Sequence, residues 1–550
     1  MKERTRQLYY GDCLDVMRGM IPDASVDLVY LDPPFNSNAT YTVLFKPPEE
    51  LGDAAQIRAF EDTWHWTIQT EREYEEIRNN PYGNSDLAKL TGALLQFLGQ
   101  NDMMAYLVHM ANRLLEIRRV MKDTASIYLH CDPTASHYLK LVMDAVFGVN
   151  NFRNEITWKR RHGFSSAVHE SNRFGTCTDI IFFYSKSLKA KFTPQYNKDS
   201  KEYKEYVAKC FTLVDENGRR YQATSLTNPA YRPNLIYEYK GFKPPANGWM
   251  ITKEKMEQWD KEGRIHFPKN KNGRLRRKSF VDELMGMPIQ NLWDDIVQIG
   301  AHDAERLGYP TQKPQALLER IISASSNEGD VVLDPFCGCG TTVHAAEKLG
   351  RSWIGIDITH LAINLIRTRL TAAFPGIEIE THGLPASYAG ALELARADKH
   401  EFELWVLSEI GAMPYKGGRK GPDTGIDGYL FFGYPEGKKV RDGKALIEVK
   451  GGSTGVKDVG YLDAVVVREG ADLGALVSAL KPTSKMREHA AGKGTVTLGT
   501  RDYPRLQVIW LKDLMEGRAR VEYPEAGRIE YTKKAPRHRR EYQEEMGSES

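Results

Sequence analysis

Apolar residues along this chain fall into two patterns: short unbroken runs, and stretches where they recur every three or four positions. Val26–Leu31 (VDLVYL) is a run suited to a strand buried on both faces, and Asp32-Pro33-Pro34-Phe35 ends it, because two prolines stop a ladder. From Met103 the apolar positions Met103, Leu107, Met110, Leu114, Ile117 and Met121 keep helical spacing, with Arg113, Arg118 and Arg119 off the stripe. A strand at Ala125–Leu129 follows. The alternation lapses over residues 160–300 and returns at Leu317–Ser325, Val331–Leu333 and Trp353–Ile356. Strands alternating with helices predict an α/β fold with a doubly wound, Rossmann-like parallel sheet. A second α/β unit is expected from about Ala391 to Pro524.

With 550 residues the chain exceeds one ordinary core, so several domains are expected. We read residues 1–375 as one domain carrying an inserted recognition region at 160–300. A linker at 376–395, around the Gly/Pro/Ala-rich stretch Thr381–Gly390, leads to a second domain at 396–530 and a charged, disordered tail at 531–550. No uncharged apolar run reaches the ~18 residues of a membrane span, and MKERTRQLYYGD lacks the core of a signal peptide. A cytoplasmic protein without membrane association is expected.

Charge changes the picture. The net charge is only +2, yet residues 151–290 hold 27 Lys and Arg against 15 Asp and Glu. Lys269, Lys271, Arg274, Arg276, Arg277 and Lys278 cluster there among aromatic residues, a combination suited to phosphates and displaced bases. This region is the candidate DNA reader. The six cysteines include no C-x-x-C pair, so a zinc ribbon is not expected; His130 and His137 are read as buried structural residues.

The chemistry concentrates at two glycine-rich or proline-rich corners. Asp330-Val-Val-Leu-Asp334-Pro-Phe336-Cys-Gly338-Cys-Gly340-Thr341 is a strand entering a glycine turn that opens a helix, where backbone and helix N-terminus can approach a ligand. Asp357 closes the next strand, at the position for gripping ribose hydroxyls. No G-x-x-x-x-G-K-[ST] loop exists, so ATP hydrolysis is not expected.

DPFCGCGTT resembles the S-adenosylmethionine loop of DNA amino-methyltransferases, and DPPF resembles their catalytic tetrapeptide. DPPF precedes the glycine loop by roughly 300 residues, an order similar to the permuted β-type enzymes, which include modification subunits of Type III restriction systems. Tyr309-Pro-Thr311-Gln-Lys313-Pro resembles their H-P-T-Q-K-P segment, and Gly11-Asp12 their adenine-contacting G-D segment. The likeness covers about residues 1–375; Tyr309 replaces the usual His, Cys339 a common Ser and Asp357 the more frequent Glu. It implies S-adenosyl-L-methionine as cofactor. Asp334, Phe336, Gly338, Gly340 and Thr341 would line it, Asp12 would meet adenine, Asp357 the ribose, and Thr311 with Lys313 the amino-acid end.

An exocyclic amine is a poor nucleophile because its lone pair is conjugated into the ring. Asp32 and the Pro33 carbonyl, held rigid by Pro33 and Pro34, are acceptors for its two N–H groups, and Phe35 can stack on an extruded base. Cytosine C5 chemistry would need a cysteine, usually after proline, and none of the cysteines follows one. In this family D-P-P accompanies adenine N6 more often than cytosine N4. Adenine-N6 methylation of double-stranded DNA, in restriction–modification or phage defence, is the resulting expectation. Cytosine N4, or a DNA-binding subunit that needs partners for activity, stay open as alternatives.

In the second unit Asp427 precedes a strand, and Ala445-Leu-Ile-Glu448-Val-Lys450 follows. Glu448 and Lys450 share a strand face. Their spacing, with Phe402-Glu403 upstream, resembles PD-(D/E)-x-K nucleases, especially Mrr-like restriction endonucleases. That implies Mg²⁺ held by Asp427 and Glu448, with Lys450 positioning a water. A nuclease-like fold that only grips DNA, and an ordinary α/β edge strand, stay open. A separate restriction or defence subunit and a homodimer are both compatible partners.

Overall fold

The computed structural model describes all residues except 1–3, 35–39, 45–55, 62–63, 80–83, 162–174, 271–272, 301–302, 308, 310, 416–424, 438 and 525–550. Phe35, Lys271 and the expected tail at 531–550 lie outside the described residues.

Val26–Leu31 is a strand with every residue buried, as its unbroken apolar run requires. It lies at the centre of a sheet that includes, in this order, Phe152–Lys159, Thr178–Ser185, Met121–Cys131, Val26–Leu31, Val331–Asp334, Ser352–Asp357, Arg6–Tyr10 and Glu380–His382. Pairing is parallel from Met121–Cys131 through Glu380–His382. Thr178–Ser185 runs antiparallel to both of its neighbours. The central pairing, Leu28 with Val332 and Val29 with Leu333, joins segments that are remote in sequence.

Asp27 reinforces that junction. Its carboxylate accepts from Val331 N–H at 3.0 Å, 304 positions away, and from Lys122 Nζ at 2.6 Å. Helix Asp102–Val120 packs on the sheet, and its stripe is wider than the spacing implied. Arg113, expected on the outer face, is 4% exposed and pairs with Asp12 and Glu73. His130 is buried as expected, whereas His137 is exposed. All six cysteines are free.

The span expected as a linker holds Glu380–His382, which adds to the sheet edge beside Arg6–Tyr10, and the start of helix Tyr388–Ala397. Beyond it, a five-stranded sheet runs Met413–Pro414, Gly428–Glu436, Lys439–Lys450, Leu473–Ser478 and Leu506–Trp510. The strand carrying Glu448 is therefore interior, between an antiparallel and a parallel neighbour. Helix Lys399–Glu409 docks on the first sheet's end: Tyr10 Oη donates to Glu401 at 2.5 Å, and His360 Nε2 lies 3.0 Å from the same carboxylate oxygen.

Residues Pro194–Asp295 form a separate compact unit. Its four-stranded antiparallel sheet and two helices, Lys201–Cys210 and Lys253–Lys261, enclose a small core around Trp249 and Met256. Among the described residues no helix is long and apolar enough to cross a membrane.

Removing the Asp27 carboxylate strands a backbone donor at the central junction. Asp27→Ala should cost about 1–3 kcal/mol, seen as a lower urea midpoint with an unchanged slope.

Candidate functional site

Four neighbouring parallel strands end at one edge of the sheet, and each delivers a segment singled out by the sequence. Arg6–Tyr10 leads to Gly11-Asp12, Val26–Leu31 to Asp32-Pro33-Pro34, and Val331–Asp334 to the glycine turn; Ser352–Asp357 ends on Asp357 itself. Crevices outside the carboxyl ends of such strands are where open α/β sheets bind ligands. Here that edge holds a cavity of about 360 Å³.

Asp12, Asp32, Pro33, Pro34, Thr311, Lys313, Asp334, Phe336, Gly338, Thr341 and Asp357 all line it. Asp32 and Gly338, distant in the chain, thus face one space. Gly340 is not among the lining residues. Its φ of +75° opens helix Thr341–Lys348, and a Cβ there would meet Ile366 Cγ1 at 2.7 Å, so packing and turn geometry account for it.

The turn is held by the next strand: Gly338 N–H donates to Asp357 Oδ2 at 2.9 Å, and Thr359 N–H to Asp357 Oδ1 at 2.9 Å. Asp12 caps helix Cys13–Met20 by accepting from Leu14 N–H at 2.7 Å, and it accepts from Arg113 at 2.6 Å. Lys313 Nζ lies 2.5 Å from Asp32 Oδ2, while Asp32 Oδ1 is buried and has no hydrogen-bond partner among the described residues.

Electrostatics follow from burial. Desolvation pushes the Asp334 carboxyl up to about 7, against hydrogen bonds from Thr342 and Phe336 N–H. Desolvation likewise raises Asp357 to about 6. Four carboxylates, Asp12, Asp32, Asp334 and Asp357, share the cavity with the cations Lys313 and Arg113.

Sequence reasoning missed Tyr30, Trp64 and Arg113, which also line the cavity. Tyr30 was legible in principle, standing two positions before Asp32 at the end of the same strand. Its hydroxyl lies 3.0 Å from His130 Nδ1, whose Nε2 lies 3.1 Å from Asp179 Oδ2. Burial alone would raise the Asp179 carboxyl, but the His130 hydrogen bond and the Arg160 charge outweigh it and hold it below its ordinary value. Nothing local marked Arg113, whose burial depends on Asp12 and Glu73.

In the second sheet Glu448 is 1% exposed, and its Oε1 pairs with Lys450 Nζ at 2.8 Å. Glu448 Oε2 is buried, with no hydrogen-bond partner among the described residues. Burial raises the Glu448 carboxyl, opposed by Lys450. Asp427 Oδ2 accepts from Val449 N–H at 2.6 Å, which holds it beside the Glu448 strand. Glu403 lies near Lys399 and His400, at 3.7 and 4.0 Å, on the upstream helix. Among the described residues no group of three or more His, Cys, Asp or Glu is gathered as a metal cage.

The basic cluster belongs to the Pro194–Asp295 unit. Arg276, Arg277 and Lys278 lie on strand Arg276–Phe280; Lys269, Arg274 and Arg276 are exposed. Arg277 stacks over Trp259 at 4.7 Å and Lys278 over Tyr221 at 5.3 Å, so part of the cluster is spent on aromatic packing.

The Type II methyltransferase M.EcaI of Enterobacter cloacae is 34% identical over 267 residues, 48% of this chain and 57% of that protein. The Mod subunit of the Type III restriction-modification enzyme StyLTI, from Salmonella typhimurium, is 28% identical over 355 residues, 62% of this chain and 49% of that protein. The chain thus spans about half the length of these curated relatives. Among solved structures, the cytosine-N4-specific PvuII DNA methyltransferase aligns at 14% identity with a TM-score of 0.33, covering 68% of this chain and 89% of that one. A family model described as restriction endonuclease matches residues 394–503, the part that holds Asp427, Glu448 and Lys450. A model described as DNA methylase matches residues 26–368, more than half of the chain, and the chain belongs to that family.

Proposed function

We propose that this protein transfers a methyl group from S-adenosyl-L-methionine to adenine N6 in double-stranded DNA, as part of cytoplasmic restriction–modification or phage defence. The observation that carries this reading is the shared cavity: the acidic diproline corner and the glycine turn line one space despite their separation in sequence. That space suits the cofactor. Its volume lies in the range of small-molecule sites, and its carboxylates match a sulfonium cation and ribose hydroxyls. Asp357 and Asp12 would hold the ribose and adenine, while Thr311 and Lys313 would meet the amino-acid end. When bound, the cofactor supplies an electrophilic methyl group.

Asp32 has one oxygen on Lys313 and one buried oxygen free of hydrogen bonds. That second oxygen would accept an N–H of the target amine, turning the nitrogen lone pair out of conjugation, and the Pro33 carbonyl would take the other. Positioning of this kind supplies most of the acceleration expected for a direct displacement. The basic cluster on the Pro194–Asp295 unit would hold DNA phosphates.

The second domain is read as a Mg²⁺-dependent endonuclease. Glu448 Oε2, buried and unpartnered, and the neighbouring Asp427 fit an ion that is commonly held by one or two carboxylates and waters. Lys450 would position the attacking water.

Three outcomes test the reading. Methyl mapping of DNA treated with the purified protein should find N6-methyladenine at one sequence. Asp32→Ala should lower transfer by about 100-fold or more while cofactor affinity, read by equilibrium dialysis, stays within about threefold. N4-methylcytosine in place of methyladenine would overturn the base assignment.

Cofactor binding should weaken as pH falls. Asp334 and Asp357 sit at about 7 and about 6 in the free protein, and a sulfonium with ribose donors favours their ionised forms. Below those values binding must expel protons, so affinity should drop by up to about tenfold per pH unit per group. It should be flat above pH 8. Dialysis from pH 5 to 8 reads this, and Asp357→Asn should remove the limb near pH 6.

Unmodified DNA should be cut only with Mg²⁺ present. Asp427→Ala and Glu448→Ala should each abolish cutting on gels while methylation continues at the wild-type rate. Cutting that survives both substitutions would exclude this site.

A further inference from the structure

Tyr30 stands in strand Val26–Leu31 and Asp32 just beyond its end, and both line the cavity. Behind Tyr30 runs a buried file of polar groups: its hydroxyl to His130 Nδ1 at 3.0 Å, then His130 Nε2 to Asp179 Oδ2 at 3.1 Å. Arg160 Nε holds the other Asp179 oxygen at 3.1 Å. Tyr30 is 2%, His130 0% and Asp179 2% exposed, and the Tyr30 residue borders the cavity at one end of the file, while Arg160 at the other end is partly exposed. In the tautomer whose Nε2 proton is directed at the Asp179 carboxylate, Nδ1 accepts the Tyr30 O–H. The phenol oxygen then keeps lone pairs for a further donor.

The target amine needs such an acceptor. In the reading above Asp32 Oδ1 and the Pro33 carbonyl orient the two N–H groups, and Asp32 Oδ2 is taken by Lys313, so a separate group must receive the proton that the methylated nitrogen loses. We propose that Tyr30 is a catalytic residue of the methyl transfer. Its phenol oxygen takes the proton that the methylated nitrogen sheds, and His130 and Asp179 are positioning residues acting through it. This rests on the methyl-transfer reading above.

The step balances. The nitrogen lone pair forms the N–CH₃ bond as the C–S bond breaks, its electron pair remaining on sulfur. The nitrogen, now positive, passes one proton to the Tyr30 oxygen, whose own proton moves to His130 Nδ1. The resulting imidazolium lies against the Asp179 carboxylate, the logic that serves a hydroxyl, an imidazole and a carboxylate in acyl transfer. When product leaves, water entering the cavity takes the proton back through Tyr30.

The test is single-turnover methylation of unmodified genomic DNA with tritiated cofactor, using the full chain. Tyr30→Phe keeps the ring and removes only the oxygen. Its rate should fall about 100-fold with cofactor affinity within about twofold by dialysis. Asp179→Asn would donate to His130 Nε2, move the ring proton to Nδ1 and direct it at the Tyr30 oxygen, so a similar fall is expected. The double variant should be no slower than Tyr30→Phe alone, because both remove one function. A Tyr30→Phe rate within twofold of wild type would overturn the assignment, as would an Asp179→Asn loss that persists in full on the Tyr30→Phe background. Wild-type protein that methylates nothing would instead sink the methyl-transfer reading, so the two failures are distinguishable.

Discussion

The pairing of Val26–Leu31 with Val331–Asp334 is the contact on which the site depends. One strand leads into an acidic diproline corner, the other into a glycine turn. Only parallel register places both ends on the same edge of the sheet. The Asp27 carboxylate bonding to Val331 N–H adds a side-chain tie to that register. Sliding the pair by one residue would turn Asp27 and Tyr30 to the opposite face and scatter the cavity wall.

Around this junction the protein concentrates negative charge where few waters reach. Burying Asp334 and Asp357 raises both carboxyls, so holding either one ionised costs energy. Such cost makes sense where an incoming cation relieves it. The two cations on the wall are already spoken for, Lys313 by Asp32 and Arg113 by Asp12 and Glu73, and they keep the acids apart. Site and fold are therefore linked through the same ion pairs.

The second domain is joined to this edge by polar and apolar contacts. Glu401 meets both Tyr10, just before Gly11-Asp12, and His360, just after the Asp357 strand. Met413 and Phe431 cluster with Tyr309 and Cys339, two of the positions that depart from the methyltransferase pattern. Tyr309 in place of histidine is buried, and its ring lies 3.2 Å from where a Gly338 Cβ would stand. Two of the three departures thus sit where the second domain packs.

Much was legible in the sequence alone because it is encoded between near neighbours. The buried strand Val26–Leu31, the glycine turn, the Glu448–Lys450 face and the basic cluster all follow from period, turn chemistry or composition. Tertiary structure decided what depends on groups far apart. It buried Arg113, which periodicity left outside, because Asp12 and Glu73 neutralise it. It gave Gly340 to Ile366 instead of the cavity, and it turned a glycine-rich linker into an edge strand by offering it Arg6–Tyr10. It also aligned Tyr30, His130 and Asp179, whose positions share no spacing rule. Local pattern sets which way a side chain leaves its own strand; only the packed sheet determines what it then meets.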